Sequence, residues 1–415
     1  MTKKNYILEQ KCRICSSKNL NLILDLGEQP PANSFIDKNE LNSSESKFPL
    51  RLFWCGDCYL VQLLDIVDKE FLFRNYFYMT SASKPIVDHF KKYAQDVYEE
   101  FLKEETNPFV VEIGSNDGSL LSEFKKLGTQ ILGIEPATNL SNLANQSNIT
   151  TKNTFFSSQV CKEIIKSRNA TAVVANNVIA HVEDLQDLMH GIQILLDKNG
   201  VFIFEVPYLV DLIKKLEFDT IYHEHLSYFS ILPLLKLVEQ FGLEIFDIRK
   251  QSVHGGTLRI FVSKKNNFPI NDSVKIFIDN EYSLGLDKIE FYQKFSTNIT
   301  KLKKNLIELL LRLKNENKSI FGYGASAKGN VLLNFCSIDN QILEYIVDTT
   351  TIKHGKFTPG THISVISPEK ILERGKDDIA LLLAWNYQDE ILEKEKLFRQ
   401  RGGKFLIPIP QPELL

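Results

Sequence analysis

Three groups of residues in this 415-residue chain have the types and spacing to do chemistry. Tyr222-His223-Glu224-His225 sets a phenol, two imidazoles and a carboxylate in consecutive positions. Imidazole titrates near neutral pH and suits proton abstraction, while a phenol can steady the charge that abstraction creates. Cys12-Arg13-Ile14-Cys15 and Cys55-Gly56-Asp57-Cys58 are two Cys-x-x-Cys pairs. Each such turn places two thiolates on one side of a knuckle, and two knuckles complete a tetrahedral S4 shell for Zn2+. Four sulfur ligands at Cys12, Cys15, Cys55 and Cys58 leave no open position, so the metal is expected to be structural. A redox dithiol or a pair of disulfides is the competing reading, which a reducing compartment disfavours.

The third group runs from Val110 to Gly118, where Val-Val-Glu-Ile-Gly-Ser-Asn-Asp-Gly ends a strand and opens a helix. Gly114 and Gly118 let the backbone approach a ligand closely, and the helix N-terminus offers free N–H groups. About twenty residues on, Gly133-Ile134-Glu135-Pro136 ends the next strand with an acid placed to accept ribose hydroxyls. The pattern Glu112-x-Gly114-x-Asn116-x-Gly118 favours S-adenosylmethionine over a dinucleotide, whose pyrophosphate calls for Gly-x-Gly-x-x-Gly. Asn116 stands where the commoner methyl-donor loop has glycine. After a further strand candidate, Asn176, Asn177 and His181 fall where such sheets line their ligand crevice. His181 capping a helix is an equal reading, and Phe155-Phe156 is a candidate adenine wall.

The elements that must position these groups follow from length and periodicity. A chain of 415 residues exceeds one core, so two or three domains are expected. Net charge of −3 and pI near 6.3 give no electrostatic case for nucleic acid or an anionic membrane surface. The opening residues are polar and charged, and the apolar runs are too short to span a bilayer, so a cytoplasmic protein with no membrane partner is expected. Residues 1–80 form the cysteine domain, and 81–265 alternate strand and helix patterns, the mark of a parallel sheet. Strands are expected at Phe109–Ile113, Ile131–Ile134, Ala172–Ala175 and Val201–Phe204. Residues 266–415 begin with one long helix whose stripe is Phe291, Phe295, Ile299, Leu302, Leu306, Leu309 and Leu313. Strands at Ser319–Tyr323, Ile342–Val347 and Ile379–Leu383 then repeat the α/β alternation. The fold class is α/β, with an N-terminal zinc-binding module, a central Rossmann-like domain and a C-terminal α/β domain. Cys161 and Cys336 have no partner motif and read as small buried apolar residues.

The chain resembles the sugar C-methyltransferases that act on nucleotide-linked 4-keto-deoxyhexoses. Nearly the full length takes part, through both cysteine pairs, Pro31-Ala32-Asn33, Tyr76-Phe77-Tyr78 with Ser81 and Ser83, and Val111 to Gly118. Further blocks are Tyr222 to His225, His254-Gly255-Gly256-Thr257-Leu258-Arg259, Gly322 to Asn330 and Pro359-Gly360-Thr361-His362. The resemblance implies three domains, a methyl donor in the second, and a nucleotide-diphosphate sugar held with help from the third. It maps the general base onto His225.

Carbon methylation beside a ketone requires removal of a weakly acidic proton, which His225 suits. Tyr222 falls on the same face at i and i+3 if the segment is helical, where it can donate to the keto oxygen, and Glu224 can orient an imidazole or hold the sugar. C3 is the expected carbon, and C5 is also α to the ketone. The glycine turn Gly322 to Gly329 and Lys328 suit a diphosphate, although a packing turn is the plain reading and Asp348 leaves room for a second cofactor. Tyr76 and Tyr78 are candidate sugar or phosphate contacts, against the plain reading of an aromatic core run. The competing functions are O- or N-methylation of a sugar, a nicotinamide-dependent oxidoreductase, and a zinc-ribbon interaction protein. The sequence does not set oligomeric state; a monomer is expected.

Overall fold

In a computed structural model the described residues are 6–73, 79–251 and 256–415. Tyr76, Tyr78, His254 and Gly255 lie outside them. The N-terminal part carries β1 (Tyr6–Leu8), β2 (Leu20–Gln29), β3 (Phe48–Cys55), β4 (Val61–Leu63) and β5 (Asp65–Val67). β3 alternates buried and half-buried side chains, as an antiparallel strand with one packed face must. β1 pairs with β5, and β2, β3 and β4 form an antiparallel ladder.

The central part supplies β6 (Phe109–Ile113), β7 (Gln130–Ile134), β8 (Thr151–Lys152), β9 (Ala170–Asn176) and β10 (Leu196–Pro207). β11 (Ser227–Tyr228), β12 (Leu243–Gln251) and β13 (Thr257–Lys264) follow. Seven of these form one sheet in the order β12-β13-β10-β9-β6-β7-β8. β6 to β10 are parallel, and β6, β9 and the second half of β10 are nearly continuous apolar runs, since helices cover both faces; Val110, Val111, Val173 and Ile203 are fully buried. β6 pairs with both β7 and β9, so strand order reverses there and a crevice opens at the strands' carboxyl ends. β11 leaves this sheet and pairs with β4, giving the N-terminal sheet the order β11-β4-β3-β2. That exchange was invisible to sequence periodicity, because two residues carry no period.

A third sheet, ordered β16-β15-β14-β17-β18-β19, contains β14 (Ser319–Tyr323), β15 (Ile346–Val347), β16 (Val365–Ile366), β17 (Asp378–Leu382), β18 (Lys404–Ile407) and β19 (Glu413–Leu414). Its order reverses between β14 and β17, giving a second crevice. The strand expected at Ile342–Val347 shrinks to β15, because Ile342 and Leu343 close a turn onto the Asp339 carbonyl. The long helix spans Ile289–Asn315, with its buried stripe rotated slightly: Tyr292 and Leu310 are core positions, whereas Phe291 and Leu309 are half-buried. Cys161 and Cys336 are buried among apolar side chains, as expected. Among the described residues no helix is long and apolar enough to cross a membrane.

The helix Asp272–Leu284 lies against β12 and sends the fully buried Glu281 to the start of the helix Ile231–Glu239. Glu281 accepts the Ile231 and Leu232 N–H groups at 2.7 and 2.9 Å and the Tyr208 hydroxyl at 3.0 Å. It satisfies helix-terminal donors that no residue of that helix reaches. Replacing Glu281 by Ala leaves these donors buried and unpaired, at an expected cost of roughly 3 kcal/mol. A fall in the denaturant midpoint with zinc content unchanged is the expected measurement.

Candidate active site and zinc centre

The four cysteine sulfurs converge as the two-knuckle spacing requires. All lie within 4.8 Å of one another, with Cys12 Sγ to Cys58 Sγ at 3.3 Å and Cys15 Sγ to Cys55 Sγ at 3.6 Å. A tetrahedral S4 shell around zinc has edges of roughly 3.8 Å, close to the separations of these sulfurs. The thiols are free, and their separations are far from the roughly 2.05 Å of a disulfide. Hydrogen bonds from Cys12 and Cys58 pull Cys55 toward the thiolate. The centre is a structural zinc site, since no fifth group is needed to complete it.

A cavity of about 920 Å³ lies at the carboxyl ends of β6, β7 and β9 and continues to those of β14 and β17. Glu112, Gly114, Asn116, Glu135 and Asn177 line its donor side, joined by Asn176, Phe155 and Phe156. Gly114 has φ +65°, and a Cβ there would meet Val178 Cγ2 at 2.4 Å, so glycine is required. Gly118, also left-handed, precedes the helix Ser119–Lys126 and packs on Ile149 rather than lining the cavity. Glu135 accepts N–H groups from Asn116 at 2.8 Å and Ala137 at 2.7 Å, which fixes its carboxylate against the loop. Glu112 Oε2 and Asn177 Oδ1 are buried without partners, the mark of groups that a polar ligand satisfies. Burial raises the Glu112 carboxyl well above its usual range, with Glu135 and Asp117 adding to the effect. These residues fit S-adenosylmethionine: an anchored acid for ribose, a glycine turn, and unsatisfied acceptors beside it.

Across the cavity stand Tyr222, His225, His181, Glu217, Tyr228 and Lys328. The segment holding Tyr222 and His225 is not helical. A short turn at Phe218–Thr220 leads into a reverse turn in which His225 N–H donates to the Tyr222 carbonyl at 2.8 Å. That turn still brings the two rings to 4.0 Å, because i and i+3 meet across a reverse turn as they do in a helix. His225 Nδ1 lies 2.8 Å from the Thr220 carbonyl, so Nδ1 carries the hydrogen and Nε2 keeps the lone pair. His181 Nδ1 likewise faces the Glu224 carbonyl at 2.7 Å, and its ring sits 4.8 Å from that of His225. Burial pushes the His181 pKa down to about 4. Burial also depresses His225 well below 6.5, reinforced by His181 and Lys328.

Glu224 does not orient the His225 imidazole. Its carboxylate receives Asn33 Nδ2 at 2.7 Å, off the cavity wall, while its backbone carbonyl holds His181. His223 turns away as well, with Nε2 3.2 Å from the Pro49 carbonyl of β3. Lys328 is the second residue of the helix Ala327–Cys336 and lies 5.1 Å over the Trp385 ring. Asp348, the acid after β15, is taken by the Ala325 N–H at 2.6 Å and the Thr350 N–H at 2.7 Å. Sequence spacing gave no pointer to Glu217, Tyr228, Asn386 or Tyr387, which reach the cavity only because three sheets meet there.

A zinc binding domain model matches residues 12–73, a methyltransferase domain model 87–248, and a C-methyltransferase C-terminal domain model 252–410. The C-methyltransferase NovU of Streptomyces niveus is 34% identical over 407 residues, 98% of this chain and 96% of the relative. Among solved structures, magnesium protoporphyrin IX methyltransferase (ChlM) from Synechocystis PCC 6803 with bound SAM covers 44% of this chain and 82% of its own, at TM-score 0.33 and 14% identity. Glycopeptide N-methyltransferase MtfA, complexed with SAM, covers 46% and 96% at TM-score 0.34 and 9% identity. Likenesses of that size carry no inference about activity. Fold and site together define an S-adenosylmethionine-dependent methyltransferase. The chain belongs to the C-methyltransferase family.

The His181 shift has a consequence for stability. The folded state favours its neutral form, so its contribution is present above about 6.5 and declines as pH falls toward about 4. The melting temperature of a His181→Asn variant is expected to fall less across that window than that of the parent chain.

Proposed function

We propose that the acceptor is a nucleotide-linked 4-keto-deoxysugar and that its C3 is methylated. The observation that carries this reading is the single cavity joining Glu135 and the glycine turn to His225 and, beyond it, Lys328. Lys328 and the N–H groups opening its helix suit the diphosphate, which places the sugar ring between them and the donor wall. His225 Nε2 removes the C3 proton, and the C–H electron pair passes into an enolate with its charge on the 4-keto oxygen. Tyr222 donates to that oxygen as the charge grows. The enolate electron pair at C3 forms the new carbon–carbon bond; S-adenosylmethionine, when bound, would supply the electrophilic methyl group, its sulfur keeping the S–CH3 electron pair as a neutral thioether. The imidazolium then releases its proton to solvent.

A base buried among apolar and cationic neighbours is neutral at pH 7 but weak. Lys328 contributes to that weakness. An anionic diphosphate on Lys328 offsets its charge, so occupancy by substrate raises the basicity of His225 when it is needed. His181 and Tyr228 complete the wall around the ring, and Glu217 faces the sugar's polar edge.

His225→Ala is expected to lower turnover by about 10²–10⁴-fold while leaving S-adenosylhomocysteine affinity intact. Incubation of the sugar in deuterated water should show α-hydrogen exchange with the parent chain and none with the variant. Exchange by the variant at the parent rate would remove His225 from the reaction. Lys328→Met should raise the apparent KM for the nucleotide sugar about tenfold or more, with donor affinity unchanged.

A further inference from the structure

We propose that Arg13 is a positioning residue for His225, through which the zinc knuckle sets the geometry of the proton-abstracting turn; this rests on reading His225 as the base. Arg13 sits between the ligands Cys12 and Cys15 and is only 9% exposed. Its Nη1 donates to the Leu226 carbonyl at 2.8 Å and, at the longer distance of 3.4 Å, to Gln62 Oε1, which also accepts the Arg13 backbone N–H at 3.1 Å. Leu226 follows His225 directly, and every polar group of its backbone is committed. The carbonyl takes the Leu63 N–H of β4 at 2.9 Å as well as Arg13, and the Leu226 N–H donates to the Ala180 carbonyl at 2.7 Å.

His225 is therefore held from two sides. Upstream, Thr220 fixes its ring; downstream, the zinc module and the loop bearing His181 fix its backbone. A second tether, from Gln186 Nε2 to the Ile14 carbonyl at 2.8 Å, ties the same knuckle to the helix Leu185–Leu195 beyond His181. Among the described residues no carboxylate pairs with the Arg13 guanidinium, and its Nε and Nη2 have no hydrogen-bond partner. A buried guanidinium with so few bonds costs stability, and its contact beside His225 is the use it serves. Closing the knuckle on zinc holds Cys12 and Cys15, and with them the Arg13 backbone from which the guanidinium reaches Leu226.

The test uses the full zinc-loaded chain with Arg13→Met and Arg13→Lys. Four quantities are measured: zinc per chain, S-adenosylhomocysteine affinity by calorimetry, kcat with KM for the methyl donor, and the 15N imidazole signals of His225, assigned with His225→Asn. Arg13→Met should keep zinc and donor affinity, lose kcat by about 10²-fold, leave donor KM unchanged, and move the His225 signals. Arg13→Lys, whose ammonium still reaches toward Leu226, should recover part of the rate and part of the shift. Parent-like turnover and His225 signals in a zinc-loaded Arg13→Met overturn the proposal. If that variant fails to fold or to hold zinc, Arg13→Lys decides, and parent-like signals and rate overturn it. Failure of the parent chain to methylate any nucleotide 4-keto sugar refutes the acceptor proposed above, yet leaves the imidazole measurement to judge Arg13.

Discussion

One hydrogen bond, from His225 Nδ1 to the Thr220 carbonyl, determines what the cavity can do. It commits one ring nitrogen to the backbone and turns the other, with its lone pair, toward whatever occupies the space. A carboxylate in place of that carbonyl would stabilise the imidazolium and pin the ring in its charged form. A backbone oxygen orients without charging. The cost is a weak base, since burial and the nearby His181 and Lys328 all oppose protonation. The Tyr222 ring stands 4.0 Å away, where a phenol can donate to charge that develops on a ligand in the cavity.

Three sheets hold that bond in place. The seven-stranded sheet supplies the donor wall and the loop carrying Ala180 and His181. The N-terminal sheet captures β11 immediately after His225, so the zinc module is continuous with the turn rather than appended to it. The six-stranded sheet brings Lys328 and the loop after β17 to the far side. Its docking is reinforced where Asn330 Nδ2 reaches the Ala32 carbonyl at 2.7 Å, next to the Asn33 that binds Glu224. Pro31-Ala32-Asn33 thus joins the outer sheets to the turn between them. Trp385 adds an indole N–H to the buried Asp219 at 2.6 Å, on the short turn that carries Thr220.

Much of this was legible before any coordinates. Strand positions in the central sheet follow from apolar runs between glycine and polar turns, and β6 matches the expected Phe109–Ile113. The zinc cage follows from cysteine spacing alone, because thiolate geometry leaves few alternatives. Less legible was anything that depends on which way a side chain turns. Tyr222, Glu224 and His225 are neighbours in sequence, yet two face the cavity and Glu224 faces Asn33. Gly118 reads as part of the donor loop and is instead a packing position against Ile149. The helix stripe shifted by one residue at Tyr292 and Leu310, since a 3.6-residue period tolerates a small rotation without changing the pattern.

By itself the amino-acid sequence determined the local chemistry: a four-sulfur metal cage, a glycine turn paired with an acid, and imidazole beside phenol. These are properties of residue type and short spacing, and they survive any arrangement of the sheets that keeps each segment intact. Only the tertiary structure decided which nitrogen of His225 faces the cavity, that Leu226 is shared between the methyltransferase and zinc modules, and that Lys328 reaches the same space from more than a hundred residues away. The first two outcomes depend on backbone carbonyls as acceptors, which nearly every residue carries and which leave no trace in side-chain pattern, and the third on how the sheets dock.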